Sequence, residues 1–110
     1  MISAGEIYFV PRVKLGKAEY GRPCLVLRAS SSEASVCFFS TKFELLRPYE
    51  VTLYETDVDF KNSGLREASF IVHTPTPDVP LEFFKGAKLL GHATGEFKRK
   101  VENWWGVPID

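Results

Sequence analysis

A mainly β fold, with one small antiparallel sheet curled on itself and an amphipathic helix after it, is predicted by three observations. Apolar, β-branched and aromatic residues come in short runs, too short to be buried helices. Glycine, proline and serine punctuate those runs, as turn chemistry requires. Only the segment after Thr94 carries apolar residues at helical spacing. The 110 residues suit one domain, spanning 1–110, and an apolar fraction of 45% with 14% aromatics supplies material for a core.

Ile7-Tyr8-Phe9-Val10 forms the first strand, which Pro11 is expected to stop. From Arg12 to Gly21 the chain is polar, and it reads as a surface loop longer than an ordinary hairpin connection. Pro23 to Leu27 is a continuous apolar strand suited to burial on both faces. Ser30-Ser31-Ser32-Glu33 is a turn, and Val36 to Thr41 is a third strand ending in two hydroxyls. Leu45-Leu46-Arg47-Pro48 reads as another turn, and the alternation from Glu50 to Tyr54 marks a half-exposed strand. Asp57 to Gly64 is polar and turn-rich, and Ser69 to Val72 is a further buried strand. The segment Thr74-Pro75-Thr76-Pro77-Asp78-Val79-Pro80 is not expected to continue it, because each proline removes a ladder donor. Lys88-Leu89-Leu90 is a last short strand.

The one good helix follows. Thr94 is the expected N-cap, Glu96 suits the positive end of the dipole, and Phe97, Val101, Trp104 and Trp105 share a face. Gly106 and Pro108 stop it. One tryptophan is expected in the core and the other at its border, with Lys98, Arg99 and Lys100 on a solvated face.

Charge narrows the function. Lys and Arg total 14 and so do Asp and Glu, so no global field draws a polyanion, and only a local patch could hold one. Cys24 and Cys37 lie in apolar runs and read as buried free thiols. With no CxxC, and with His73 and His92 far from both thiols, no metal site or cofactor is expected. The start, Met1 to Glu6, lacks the basic residues and apolar run of a secretory signal. No apolar run approaches the roughly 20 residues that span a bilayer, so a cytoplasmic protein without a membrane partner is expected.

Arg22 poses the sharpest question, because it stands directly before Pro23 at the mouth of a buried strand. A following proline confines it to extended backbone, which pre-aims its side chain. It is either a solvated strand start or a cation held at the edge of a site.

The order of motifs favours the second reading. Gly5-Glu6-Ile7-Tyr8-Phe9-Val10 resembles the opening strand of the MazF/PemK toxin family, and Gly21-Arg22-Pro23-Cys24-Leu25-Val26-Leu27 resembles its second. Val36 to Thr41 falls where that family has an apolar strand ending in threonine. Ser63 to Val72 is similar to its glycine-leucine segment leading into a serine-containing strand. Leu89-Leu90-Gly91-His92-Ala93-Thr94 is similar to the run into its last helix.

The resemblance implies a small SH3-like barrel with added helices, forming a homodimer. It implies a metal-free endoribonuclease that cuts single-stranded RNA and is blocked by a cognate antitoxin. Arg22 matches the family's active-site arginine, whose planar fork suits phosphate oxygens. Thr41 matches its threonine, with Ser40 beside it; a hydroxyl there either donates to a phosphate or caps a turn. The loop from Arg12 to Tyr20 would flank the RNA, with Lys14 and Lys17 toward phosphates, unless merely solvated, and Tyr20 toward a base. After Ser69 the chain departs from the pattern: no acid or arginine aligns, and His73 stands as the substitute proton carrier or as a structural residue. The departure leaves open a barrel of this family that binds protein or RNA without cutting. A gyrase-poisoning toxin on the related CcdB barrel, acting through its last helix, would need no Arg22.

Overall fold

Apolar residues alternate onto both faces of the central strands, so the sheet must be covered on each side. The computed structural model describes residues 2–15, 17–43, 49 and 51–109, leaving aside the side chains of Leu15, Ala18, His73 and Thr74. Its strands are β1 (Glu6–Leu15), β2 (Ala18–Ala29), β3 (Glu33–Ser40), β4 (Thr52–Leu53), β5 (Ser69–Pro80) and β6 (Lys88–His92). They form one antiparallel sheet in the order β4-β5-β3-β2-β1-β6. Two helices, α1 (Phe60–Ser63) and α2 (Gly95–Trp105), and a 3-10 turn at Leu81–Phe84 complete the described elements. The protein is thus mainly β with a C-terminal amphipathic helix, as its sequence predicts.

Strand β2 shows how the two faces divide. Leu25 and Leu27 enter one core with Ile7, Cys37, Phe39 and Leu53, which Phe97 and Val101 of α2 cover. Cys24 and Val26 enter the other with Val10, Val13, Val36, Phe38 and Val79, which Phe84 of the 3-10 turn covers. Burying a side chain such as Phe39, 1% exposed, contributes roughly 1.5–3 kcal/mol relative to exposure. Both cysteines are buried free thiols. The Cα radius of gyration, 13.0 Å, is what a folded chain of this length gives.

Two expectations about proline and one about a loop are corrected. Strand β1 runs through Pro11, because the register shifts between Val10 and Val13 and the bulge accommodates a residue without an N–H. Beyond it Val13 is 2% exposed, so burial in the second core carries the strand onward. The expected loop from Arg12 to Gly21 is therefore mostly a long hairpin, with Val13↔Tyr20, Lys14↔Glu19 and Leu15↔Ala18 paired. Likewise β5 continues through Pro75 and Pro77 to Pro80, pairing Val36↔Thr76 and Ala34↔Val79 across register shifts. Strand β4 meets β5 only at Ser69 and Phe70, and among the described residues no strand pairs with that edge of β5 farther along. A proline on an open edge or in a bulge forfeits no ladder bond.

Shorter differences have local causes. The half-exposed strand shrinks to β4, and α1 forms in the polar stretch that reads only as turns. The expected turn at Leu45–Pro48 lies outside the described residues, as does Glu50. Thr94 occupies the N-cap of α2 but makes no side-chain cap bond. The cap comes instead from buried Asp59: Oδ2 accepts the Phe97 N–H at 3.3 Å, and Oδ1 accepts the Thr94 hydroxyl at 3.0 Å. Gly106 closes the helix at φ 86°, donating to the Glu102 carbonyl at 2.7 Å. Neither tryptophan is fully inside; both lie half-buried at the border of the first core, and the Arg28 guanidinium sits 5.5 Å from the Trp105 ring centre. Among the described residues no helix is long and apolar enough to cross a membrane.

Candidate functional site

The register of β2 on β3 decides what lies beside Arg22. Cys24 pairs with Phe38, and two residues farther in opposite directions come Arg22 and Ser40. Ser40 pairs in turn with Phe70, the neighbour of Ser69. Three strands therefore deliver Tyr20, Arg22, Pro23, Ser40, Thr41, Lys42 and Ser69 to one pocket of about 120 Å³. Sequence-distant residues meet because the ladder places them so.

Arg22 is held from three sides. Nη1 donates to the Phe39 carbonyl at 3.4 Å, and Nη2 donates to the Tyr20 hydroxyl. The guanidinium carbon also lies 4.5 Å from the Tyr20 ring centre, a cation–π contact between residues two apart on one strand face. Nε is buried and has no hydrogen-bond partner among the described residues. A buried N–H without a partner costs free energy that an acceptor brought to it would recover.

The hydroxyls divide their roles. Ser40 Oγ accepts the Lys42 N–H at 3.2 Å, so it caps the turn that ends β3. Thr41 is exposed at the rim, and its hydroxyl makes no hydrogen bond to the described residues. Ser69, 1% exposed, donates to the Glu67 carbonyl at 2.9 Å and fixes the start of β5.

A larger cavity of about 510 Å³ adjoins this pocket, lined by Phe9, Leu65, Arg66, Glu67, Lys88 and Leu90 together with Pro23, Thr41 and Ser69. The last three line both, so the two cavities make one groove. Arg22, Lys42, Arg66 and Lys88 face it and Glu67 is its single carboxylate among the described residues, which gives a local positive patch on a chain of zero net charge. Two glycines shape the walls. A Cβ at Gly21 would lie 2.3 Å from the Phe9 ring, so glycine lets that ring cross β2. At Gly64, where φ is +72°, a Cβ would lie 2.0 Å from the Leu90 carbonyl oxygen, so only glycine lets α1 close against β6.

The sequence-predicted residues are thus partly gathered. Arg22, Ser40, Thr41 and Tyr20 share the pocket. Lys14 and Lys17 line neither cavity; they lie toward the far end of the β1–β2 hairpin, where Lys14 pairs with Glu19. Glu19 also meets Arg12 at 3.6 Å, an exposed pair of small energetic weight. His73 lies on β5, with its side chain outside the described residues. The residues the sequence reading missed are Lys42, Arg66, Glu67, Ser69 and Lys88. Adjacency to Thr41 was a signal for Lys42. Lys88 had none, since it arrives through the pairing Phe9↔Lys88 across β1 and β6. Among the described residues no cluster of His, Cys, Asp and Glu could hold a metal ion. Compared with family models, curated proteins and solved structures, the chain matches none.

Proposed function

We propose that the groove binds single-stranded RNA and cleaves it by a metal-independent route through the substrate's own 2′-hydroxyl. The observation that carries this reading is the convergence of Arg22, Thr41 and Ser69 in a positive groove, with an Arg22 N–H that has no partner among the described residues. In the reaction the 2′-oxygen attacks the adjacent phosphorus and the bond to the 5′-oxygen breaks, leaving a 2′,3′-cyclic phosphate and a 5′-hydroxyl. Arg22 stabilises the charge that builds on the equatorial oxygens, exchanging its bonds to Tyr20 and the Phe39 carbonyl for phosphate. Thr41 donates a further hydrogen bond from the rim. Glu67 is the candidate acceptor for the 2′ proton, and the 5′-oxygen takes its proton from water or a groove cation.

The order of motifs resembling MazF/PemK extends the proposal to a cytoplasmic toxin that acts as a homodimer and is held in check by an antitoxin. The test is purified protein with RNA in EDTA. Arg22→Ala is expected to lower cleavage by about 10²-fold or more, in line with loss of one charge-stabilising donor. Wild type cutting no better than the variant, over varied sequences, refutes the nuclease.

One observation favours a second reading, binding without cleavage. Both Nη atoms of Arg22 already have partners within the protein, so the end of the guanidinium is held as a structural clamp. That reading expects RNA or protein binding, no cleavage and no growth arrest on expression. Toxicity that survives Arg22→Ala points instead to an action like that of CcdB.

A further inference from the structure

Beyond Lys42 the chain gathers four rings that the groove chemistry leaves unused. Phe70, 4% exposed and next to Ser69, is their base: its ring centre lies 4.8 Å from that of Phe43 and 4.1 Å from that of Tyr49. Phe43 and Tyr54 form the outer layer, 38% and 47% exposed. Their centres are 6.0 Å apart and their planes differ by only 18°. The underside of this shelf is therefore packed, while two nearly parallel rings above it are partly exposed to solvent. Large rings anchored below and open above are a surface built to be covered.

The shelf continues the groove. Thr41 lines both cavities, Lys42 lines the smaller, and Phe43 follows directly. Thr41 and Phe43 are at most about 7 Å apart along the chain. Two cations, Arg22 and Lys42, lie on this path between the rings of Tyr20 and Phe43, and single-strand binders likewise set phosphates on cations and bases on rings.

We propose that Phe43 and Tyr54 form a stacking subsite for an unpaired nucleobase, adjacent to the phosphate held at Arg22. The subsite rests on the reading of the groove as a single-stranded RNA site and names what lies beside its phosphate. Stacking needs only a π-face, so the shelf adds affinity without choosing among bases. Lys42 at its edge matches the charge of the strand that delivers the base.

The test uses a short 2′-O-methyl oligonucleotide, which lacks the attacking hydroxyl, and the same strand with abasic residues. Wild type is expected to bind the base-bearing strand more tightly. Tyr54→Ala and Phe43→Ala should each weaken that binding by about 5- to 150-fold and leave the abasic strand unaffected. Arg22→Ala should weaken both strands alike. Phe43 packs on Phe70, so thermal melts accompany both variants, and outer-ring Tyr54→Ala decides if Phe43→Ala does not fold. Equal wild-type affinity for the two strands overturns the subsite and leaves the groove reading standing. Absence of binding to either strand overturns both. If Tyr54→Ala changes the sedimentation of the protein but not strand affinity, the shelf is a contact between copies and the proposal falls.

Discussion

Arg22 and Asp59 show what a single charged side chain does when a fold encloses it. Arg22 gains two acceptors and a ring face, and its planar fork uses them in different directions. A lysine is a point charge on a flexible stem and cannot reproduce that arrangement. Arg22→Lys is therefore expected to lose nearly as much RNA cleavage as Arg22→Ala, measured under the same EDTA conditions. Asp59 accepts from both the Thr94 hydroxyl and the Phe97 amide, tying the segment before α1 to the start of α2. Loss of a cap acceptor typically costs about 0.5–2 kcal/mol. Urea unfolding should place Asp59→Ala in the upper part of that range, because a second donor is stranded with it, and Asp59→Asn below it. An Asp59→Ala midpoint equal to wild type would count against the cap.

At the scale of elements, local signals and long-range ones part company. The apolar runs of β2 and β3 and the periodicity of α2 are visible in the chain because each reports burial of its own side chains. The continuation of β5 past Pro75 is invisible, since it depends on which of its edges another strand covers. The hairpin beyond Pro11 is hidden for the same reason: Val13 continues the strand only because a second core exists to receive it. In the groove, Arg22 and Thr41 are singled out by the resemblance of their motifs, whereas Lys88 and Glu67 depend on sheet order. Gly64 is the joint where α1 meets β6, with a positive φ and the Leu90 carbonyl at contact. Gly64→Ala should destabilise by well over 1 kcal/mol in chemical denaturation, since strain and clash add, and should open the larger cavity. A neutral effect would show that α1 is not fixed there.

Taken whole, the molecule is one sheet between two apolar layers, and its thiols report on both. Burial pushes Cys24 up to about 12, and burial together with Cys24 raises Cys37 as well. Burial and a hydrogen bond to Glu6 push Tyr8 up to about 12. Unfolded thiols release their protons near 9.0 while native Cys24 keeps its own to about 12. The unfolded state thus gains with rising pH, and stability falls across that interval. Melting temperature under reducing conditions should decline from about pH 9 upward, and less steeply in Cys24→Ala. An identical slope in the variant would remove Cys24 as the cause.

Burial on both faces of β2 also bears on how the chain finds its register. Where one face is wet, a slip by one residue exposes the apolar set and is rejected. Here Cys24, Leu25, Val26 and Leu27 are all 0–1% exposed, so a slipped strand would still be buried, merely in the opposite layers. Hydrophobicity alone does not choose between these pairings. Polar landmarks must, and Arg22 is the nearest: a one-residue slip carries its guanidinium away from the Phe39 carbonyl of β3. The arginine at the mouth of the strand is thus an alignment mark for the sheet.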